Sequence, residues 1–250
     1  MLELMDPAAL AVIGSQFFIV VARLSFVIFL LPGLGEQMIP IRVRVMILIA
    51  MSVAFTSIGM VAPVSLSPLS GFVAVMAGEI AVGFVLGVSL RLAIWILGIT
   101  GTVVAQSIGL AQFMGVGLET EAQTIFANML SLAGAALLLT ANYHVSAFQS
   151  FAMLYGVLPV GGYTLLDLSA FTDLVFAAFN FGVSLAWPFV TVSLIYNISL
   201  GFINKAMPQL MVAFVGAPFM VGAGLFILFV SIVSIMLAWQ ARLPSFVPWM

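Results

Sequence analysis

The chain has 250 residues, of which 64% are hydrophobic and 6% charged, and its mean hydropathy is +1.34. Soluble domains carry about 25% charged residues, so a soluble fold is excluded, and six scattered basic residues leave no patch for nucleic acid. The absence of cysteine removes disulfides, thiolate metal sites, Fe–S clusters and cysteine nucleophiles.

Asp6-Pro7 is a helix-start signal, and residues 8–31 read as a first apolar helix ended by Pro32-Gly33. The acidic N-terminus and the length of this run set it apart from a secretory signal, so it is expected to stay in the mature protein. Arg23 lies inside the run. An arginine facing lipid costs at least about 2.5 kcal/mol, so it should face protein or water. Residues 32–42 read as a loop, and Arg42 and Arg44 beside it suggest a cytoplasmic face.

Residues 43–62 form a second helix, ended at Pro63, and PVSLSPLS is a turn. Residues 71–90 span a membrane thickness. Two geometries fit residues 91–108: one helix running on to about 108, or a break near Gly98–Gly101. Glu79 is a second intramembrane charge, and pairing with Arg23 would offset the desolvation of both. Gly83 and Gly87 form a Gly-x-x-x-Gly pair, spaced for close approach of a neighbouring helix backbone. Helical character is then expected to lapse over 109–121, a glycine-rich, partly polar loop with Gly109, Gly115 and Gly117, the apolar Phe113 and Met114, and the polar Glu119 and Glu121, read from the residues alone as a plain exposed connection.

Residues 125–141 and 145–158 are apolar, separated by TANYH. His144, the single histidine, reads as a packed, hydrogen-bonded residue. Pro159 with Gly161-Gly162 forces a turn, and Asp167 and Asp173 look like solvated helix-start residues. Residues 174–203 form a long run that Pro188 should kink without ending. Lys205, Pro208 and Gln209 mark the next turn, and 210–240 carry the last helix. The fold class expected is all-α: a polytopic membrane protein with about six long hydrophobic helices and shorter broken segments.

The chain lacks a P-loop, a dinucleotide fingerprint, Gly-x-Ser-x-Gly and His-Glu-x-x-His. No catalytic, cofactor-binding or metal-binding residue is therefore expected, and the reading is non-enzymatic. A polytopic small-molecule or ion transporter is the alternative that intramembrane charges and Gly- and Pro-broken helices allow.

Several segments in order resemble one family. They are Arg23 with Pro32 and Gly33, Pro40 with Arg42 and Arg44, Gly78-Glu79 with Gly83 and Gly87, and Gln106, Gly109 and Leu110. His144 and Ser150 continue the series, and Pro208-Gln209, Gly216, Pro218 and Gly224 complete it. Together they resemble the flagellar FliR family, the T-type subunits of the type III secretion export gate, over about residues 15–235. The Asp-Pro often found in that family near Glu119-Thr120 is absent here.

The resemblance implies a non-enzymatic gate subunit without cofactors, one copy of which joins P-type and Q-type subunits in a hetero-oligomer. Residues 1–180 would be a P-like helical part and 181–250 a Q-like helical hairpin turning at Lys205–Gln209. Unfolded flagellar proteins would pass through the gate, and residues 109–121 would plug it at rest. The implied location is the bacterial inner membrane at the flagellar basal body, with the assembled gate above the membrane plane among other export apparatus proteins.

Overall fold

The computed structural model describes residues 7–36, 39–63, 69–109, 119–207 and 212–249, with residues 7–8, 119–124 and 212–215 described by backbone alone. Among these are seven α-helices and no strand: α1 (Pro7–Leu30), α2 (Ile41–Ser57), α3 (Leu69–Ile108), α4 (Glu119–Thr140), α5 (Tyr143–Val157), α6 (Leu168–Ala206) and α7 (Val212–Phe246). A short 3-10 turn, Gly162–Leu165, precedes α6. The all-α class is as expected. Six helices of 17 residues or more match the six apolar runs, and α5 is the shorter segment. By length and composition, four described helices can cross a membrane (α1, α3, α6 and α7), or five if α4 and α5 count as one bent span.

The two geometries left open after residue 90 resolve to one. Helix α3 runs unbroken for 40 residues through Arg91, Gly98 and Gly101. No proline interrupts it, and Gly78, Gly83, Gly87 and Gly101 within it have close neighbours, packing that offsets their poor helix propensity. Helix α6 likewise continues through Pro188, and α7 contains both Pro218 and Pro244. The last helix therefore extends past the expected end at 240, and Arg242 lies within it with its guanidinium 5.3 Å from the Phe181 ring centroid. Asn142 takes a left-handed φ of 55° where α4 gives way to α5, a conformation asparagine tolerates better than most residues.

The chain divides into two compact units, each built from separated segments. The first comprises 1–92, 137–175 and 246–250. Its core joins α1, α2, the first part of α3 and α5 through Ile19, Leu24, Val27, Ile28, Phe55, Leu90 and Phe151. Phe55, Phe151 and Tyr155 form a run of ring contacts at 5.7 and 5.5 Å. Trp249 closes on this unit by donating its indole N–H to Ser89 Oγ at 2.8 Å.

The second unit comprises 93–136 and 176–245. Val104, Ile108, Ala186, Phe189 and Ile235 form a core cluster there. Gly101 lies against the Ala127 backbone and Gly182 against Ile96 O, so helices meet where no Cβ intervenes. Polar groups reinforce these contacts. The Thr100 hydroxyl lies 2.8 Å from Ile96 O and 2.9 Å from Gly182 O, and Trp239 donates to Ala93 O at 2.7 Å.

Candidate functional site

The site grows from a stripe on α3. Glu79, Gly83 and Gly87 are four residues apart and share one helix face. A Cβ at Gly83 would run into the Arg23 carbonyl oxygen, and one at Gly87 would lie 2.5 Å from Phe26 O. The missing side chains thus bring α1 against α3 at the level of Arg23. One turn along the same stripe, Glu79 meets the Arg23 side chain.

Both charges have zero solvent exposure. Arg23 Nε donates to Glu79 Oε2 at 2.5 Å, and Nη2 donates to Oε1 at 3.1 Å, a two-pronged pairing suited to the planar guanidinium. The remaining reach of the arginine goes elsewhere. Nη1 donates to Leu158 O at 2.9 Å, and Nη2 also lies 3.4 Å from Pro159 O. Glu79 Oε1 accepts the Gly161 N–H at 2.9 Å. The Tyr155 ring covers the guanidinium, with Cζ 4.3 Å from the ring centroid.

Local sequence explains why the 158–163 segment presents these groups. Leu158 ends α5, where helix carbonyls lose their intrahelical donors. Pro159 cannot continue the helix. Gly161 has φ +79°, a conformation closed to most side chains, and this turn carries its N–H toward Glu79. The Tyr163 ring then occupies the space beside Gly78 that a Cβ would need. Gly78 and Glu79 therefore both serve this segment, one by its absent side chain and one by its carboxylate.

A second ion pair lies at the rim of the same unit. Arg91 Nη1 donates to Glu36 Oε1 at 2.5 Å, with about a fifth of each side chain exposed. Arg44 folds back to donate Nε and Nη2 to Ile39 O at 3.1 and 2.9 Å, which fixes the entry to α2. Sequence reading did not assign Glu36 or Arg91 a partner. A charge in a loop paired with one 55 residues later leaves no local pattern.

The hydrogen bonds of this node include none of the other sequence-predicted site residues that the structure describes. Gly109 ends α3 with φ +71°, its N–H returning to Gln106 O at 3.1 Å, the usual role of glycine after a helix. Phe113, Met114, Gly115 and Gly117 lie outside the described residues. Glu119 and Glu121 stand in the first turn of α4, so the expected loop gives way to helix at 119, earlier than the expected end at 121. Lys205 is exposed in the last turn of α6, while Pro208 and Gln209 lie outside the described residues.

Asp167 precedes α6 and accepts from Ser169 N–H, Ser169 Oγ and Ala170 N–H at 2.9, 2.6 and 3.0 Å, an N-cap. Asp173 is not a second helix start but an exposed residue within α6. His144 Nδ1 is buried without a hydrogen-bond partner, contrary to the expectation of a satisfied side chain. Among the described residues, no group of three or more His, Asp or Glu is placed to hold a metal ion.

The chemistry of the node is electrostatic and structural. A buried ion pair lowers its desolvation cost only when its remaining donors and acceptors are met. Here backbone groups of one segment meet them, so two buried charges fix a loop that is itself partly exposed. An all-helical chain of several membrane-length helices, joined through glycine contacts and one buried polar node, defines a polytopic membrane protein.

Residues 15–245 match the family described as bacterial export proteins, family 1, and the chain belongs to that family. It is 27% identical over 230 residues to the flagellar biosynthetic protein FliR of Caulobacter vibrioides, covering 90% of this chain and 91% of that protein. It is 28% identical over 228 residues to FliR of Aquifex aeolicus, covering 88% of each chain. Against FliR of Escherichia coli it is 27% identical over 218 residues, covering 84% of this chain and 82% of that protein.

Proposed function

We propose that this chain is a structural and gating subunit of the flagellar type III protein export gate in the bacterial inner membrane. The observation that carries the reading is the family match across residues 15–245, together with relatives named flagellar biosynthetic protein over nearly their whole length. In this reading one copy joins P-type and Q-type subunits around a channel for unfolded flagellar proteins. The role is non-enzymatic and needs no cofactor. The assembled gate stands above the membrane plane, among the other export apparatus proteins.

The distribution of apolar surface supports a heavily partnered chain. In its most apolar window, α3 is 67% buried, whereas α6 and α7 are 22% and 17% buried. Phe202 and Phe219 are each 72% exposed and Phe229 is 78% exposed. Residues 181–250 are assigned as the Q-like hairpin, turning at Lys205, Pro208 and Gln209, and 1–180 as the P-like part. The exposed faces of α6 and α7 are where neighbouring subunits and lipid would lie.

The segment 109–121 is assigned as the plug of the closed channel. A pore wide enough for an unfolded chain leaks ions unless something fills it at rest. Glycines at 109, 115 and 117 ease rearrangement, and Phe113 and Met114 suit an irregular lumen.

The deciding experiment is mass measurement of the detergent-extracted complex. A gate subunit is recovered as one copy with several copies each of two different small membrane proteins. Recovery as a monomer or a symmetric homo-oligomer supports the small-molecule transporter instead. For the plug, deletion of Ala111–Leu118 should leave the complex assembled and raise its ion conductance after reconstitution. Equal conductance would remove the plug assignment.

A further inference from the structure

We propose that Arg23 and Glu79 act together as a directional tether for the 158–161 segment. Arg23 holds its carbonyl groups and Glu79 its amide, so the loop is fixed by donor and acceptor polarity and not by charge pairing alone. This inference concerns the chain itself and holds whatever the channel carries.

The geometry separates the tether from a self-contained ion pair. In a self-contained pair, the arginine spends its donors on the carboxylate. Here Nη1 is spent on Leu158 O, and Nη2 is shared between Glu79 and Pro159 O. Glu79 Oε1 is shared between the arginine and Gly161 N–H. The three loop groups are arranged by polarity: two acceptors face the cation and one donor faces the anion. Gly161 reaches this position through its φ of +79°, so the backbone is shaped to deliver the amide. Both charged side chains are fully buried, so a hydrogen bond that either loses is costly.

The consequence differs from what the two charges suggest by themselves. Charge pairing alone would let the double exchange partly restore assembly. In the structure, a carboxylate at 23 would face Leu158 O and Pro159 O, acceptor against acceptor. A guanidinium at 79 would face Gly161 N–H, donor against donor. Net charge is conserved, yet all three loop contacts are lost. Arg23 and Glu79 are thus positioning residues for the passage from α5 into the 3-10 turn and the start of α6.

The test is residue-resolved amide exchange on the purified full-length chain in detergent. It compares wild type with Arg23→Lys, Glu79→Asp and the double exchange Arg23→Glu with Glu79→Arg. The two conservative variants keep both charges but shorten the reach or reduce the fork. Hydrogen bonds to charged groups are strong enough that losing one speeds local exchange about tenfold or more. The tether predicts that acceleration at Gly161 in Glu79→Asp and in the double exchange, and smaller acceleration in Arg23→Lys. Amides of residues 19–28 in α1 stay at wild-type rates. Wild-type protection of Gly161 in Glu79→Asp or in the double exchange would overturn the tether. Acceleration spread equally over 19–28 would also overturn it, because the pair would then serve the α1–α3 contact in general.

Discussion

At Gly83, a single missing methyl group decides whether two helices meet. A Cβ there would collide with the Arg23 carbonyl oxygen, which is backbone and cannot turn aside. Gly83→Ala should destabilise the protein by about 1–3 kcal/mol, the usual range for overpacking. Gly222, inside α7, has no atom within 4 Å of the same position. Gly222→Ala should instead stabilise by up to about 1 kcal/mol, because alanine is the better helix former. Denaturation midpoints of the two variants should move in opposite directions, and a shift of the same sign in both would contradict the contact geometry. The spacing of Gly83 and Gly87 was legible in the sequence, as was the oddity of charges at 23 and 79. What could not be read was the third participant. Leu158, Pro159 and Gly161 contribute backbone groups, which no side-chain pattern marks. The Pro-Val-Gly-Gly run signalled a turn but not its destination.

Individual helices show the same division between local and distant information. The start of α6 is local. Asp167 caps it, and its carboxyl is held below the ordinary carboxylate value, first by the Ser169 hydroxyl and then by the Ala170 amide. The unfolded group titrates at about 3.9. Because the folded value is lower, the cap's contribution is fully present above that pH and is lost as pH falls through the folded value. Amide exchange at Ser169 and Ala170 should therefore quicken, relative to the intrinsic rate, only below about pH 4. Asp167→Ala should show the quickened rate at neutral pH, while Asp167→Asn should retain most of the protection. The continuity of α3 is not local. Glycines at 98 and 101 look like a break until Ser131 and Ala127 are seen beside them. Pro188 and Pro244 likewise sit within helices whose ends neither defines. Trp239 offers a graded test of inter-helix fixing. It is 1% exposed and donates to Ala93 O. Trp239→Phe should cost about 0.5–1.5 kcal/mol for the hydrogen bond, and Trp239→Ala about 3–5 kcal/mol for lost packing, by thermal unfolding in detergent.

The whole chain divides its apolar residues between two tasks. The first unit buries a continuous core, while α6 and α7 keep large side chains outward. Hydropathy alone rates α3 and α7 almost alike, at 2.3 and 2.6, although one is mostly buried and the other mostly not. That is why composition established an all-helical membrane protein but left its exposed face unmarked. Phe229→Glu should leave the helical content of the isolated chain unchanged, since the side chain touches little of its own fold. It should lower recovery of the assembled complex severalfold if that face meets other subunits. Normal recovery would count against a subunit contact at this face.

The two-sided hold on residues 158–161 also constrains the order of synthesis. Arg23 leaves the ribosome first, Glu79 comes 56 residues later, and Leu158 arrives 135 residues after Arg23. At about 5–20 residues per second, the nascent chain carries the two charges for roughly 4–16 s before its loop acceptors exist. During that interval each charge has, of the hydrogen-bond partners it holds in the finished fold, only the other. A chain stalled between residues 79 and 158 therefore carries an arginine without the two loop acceptors that it has in the finished protein.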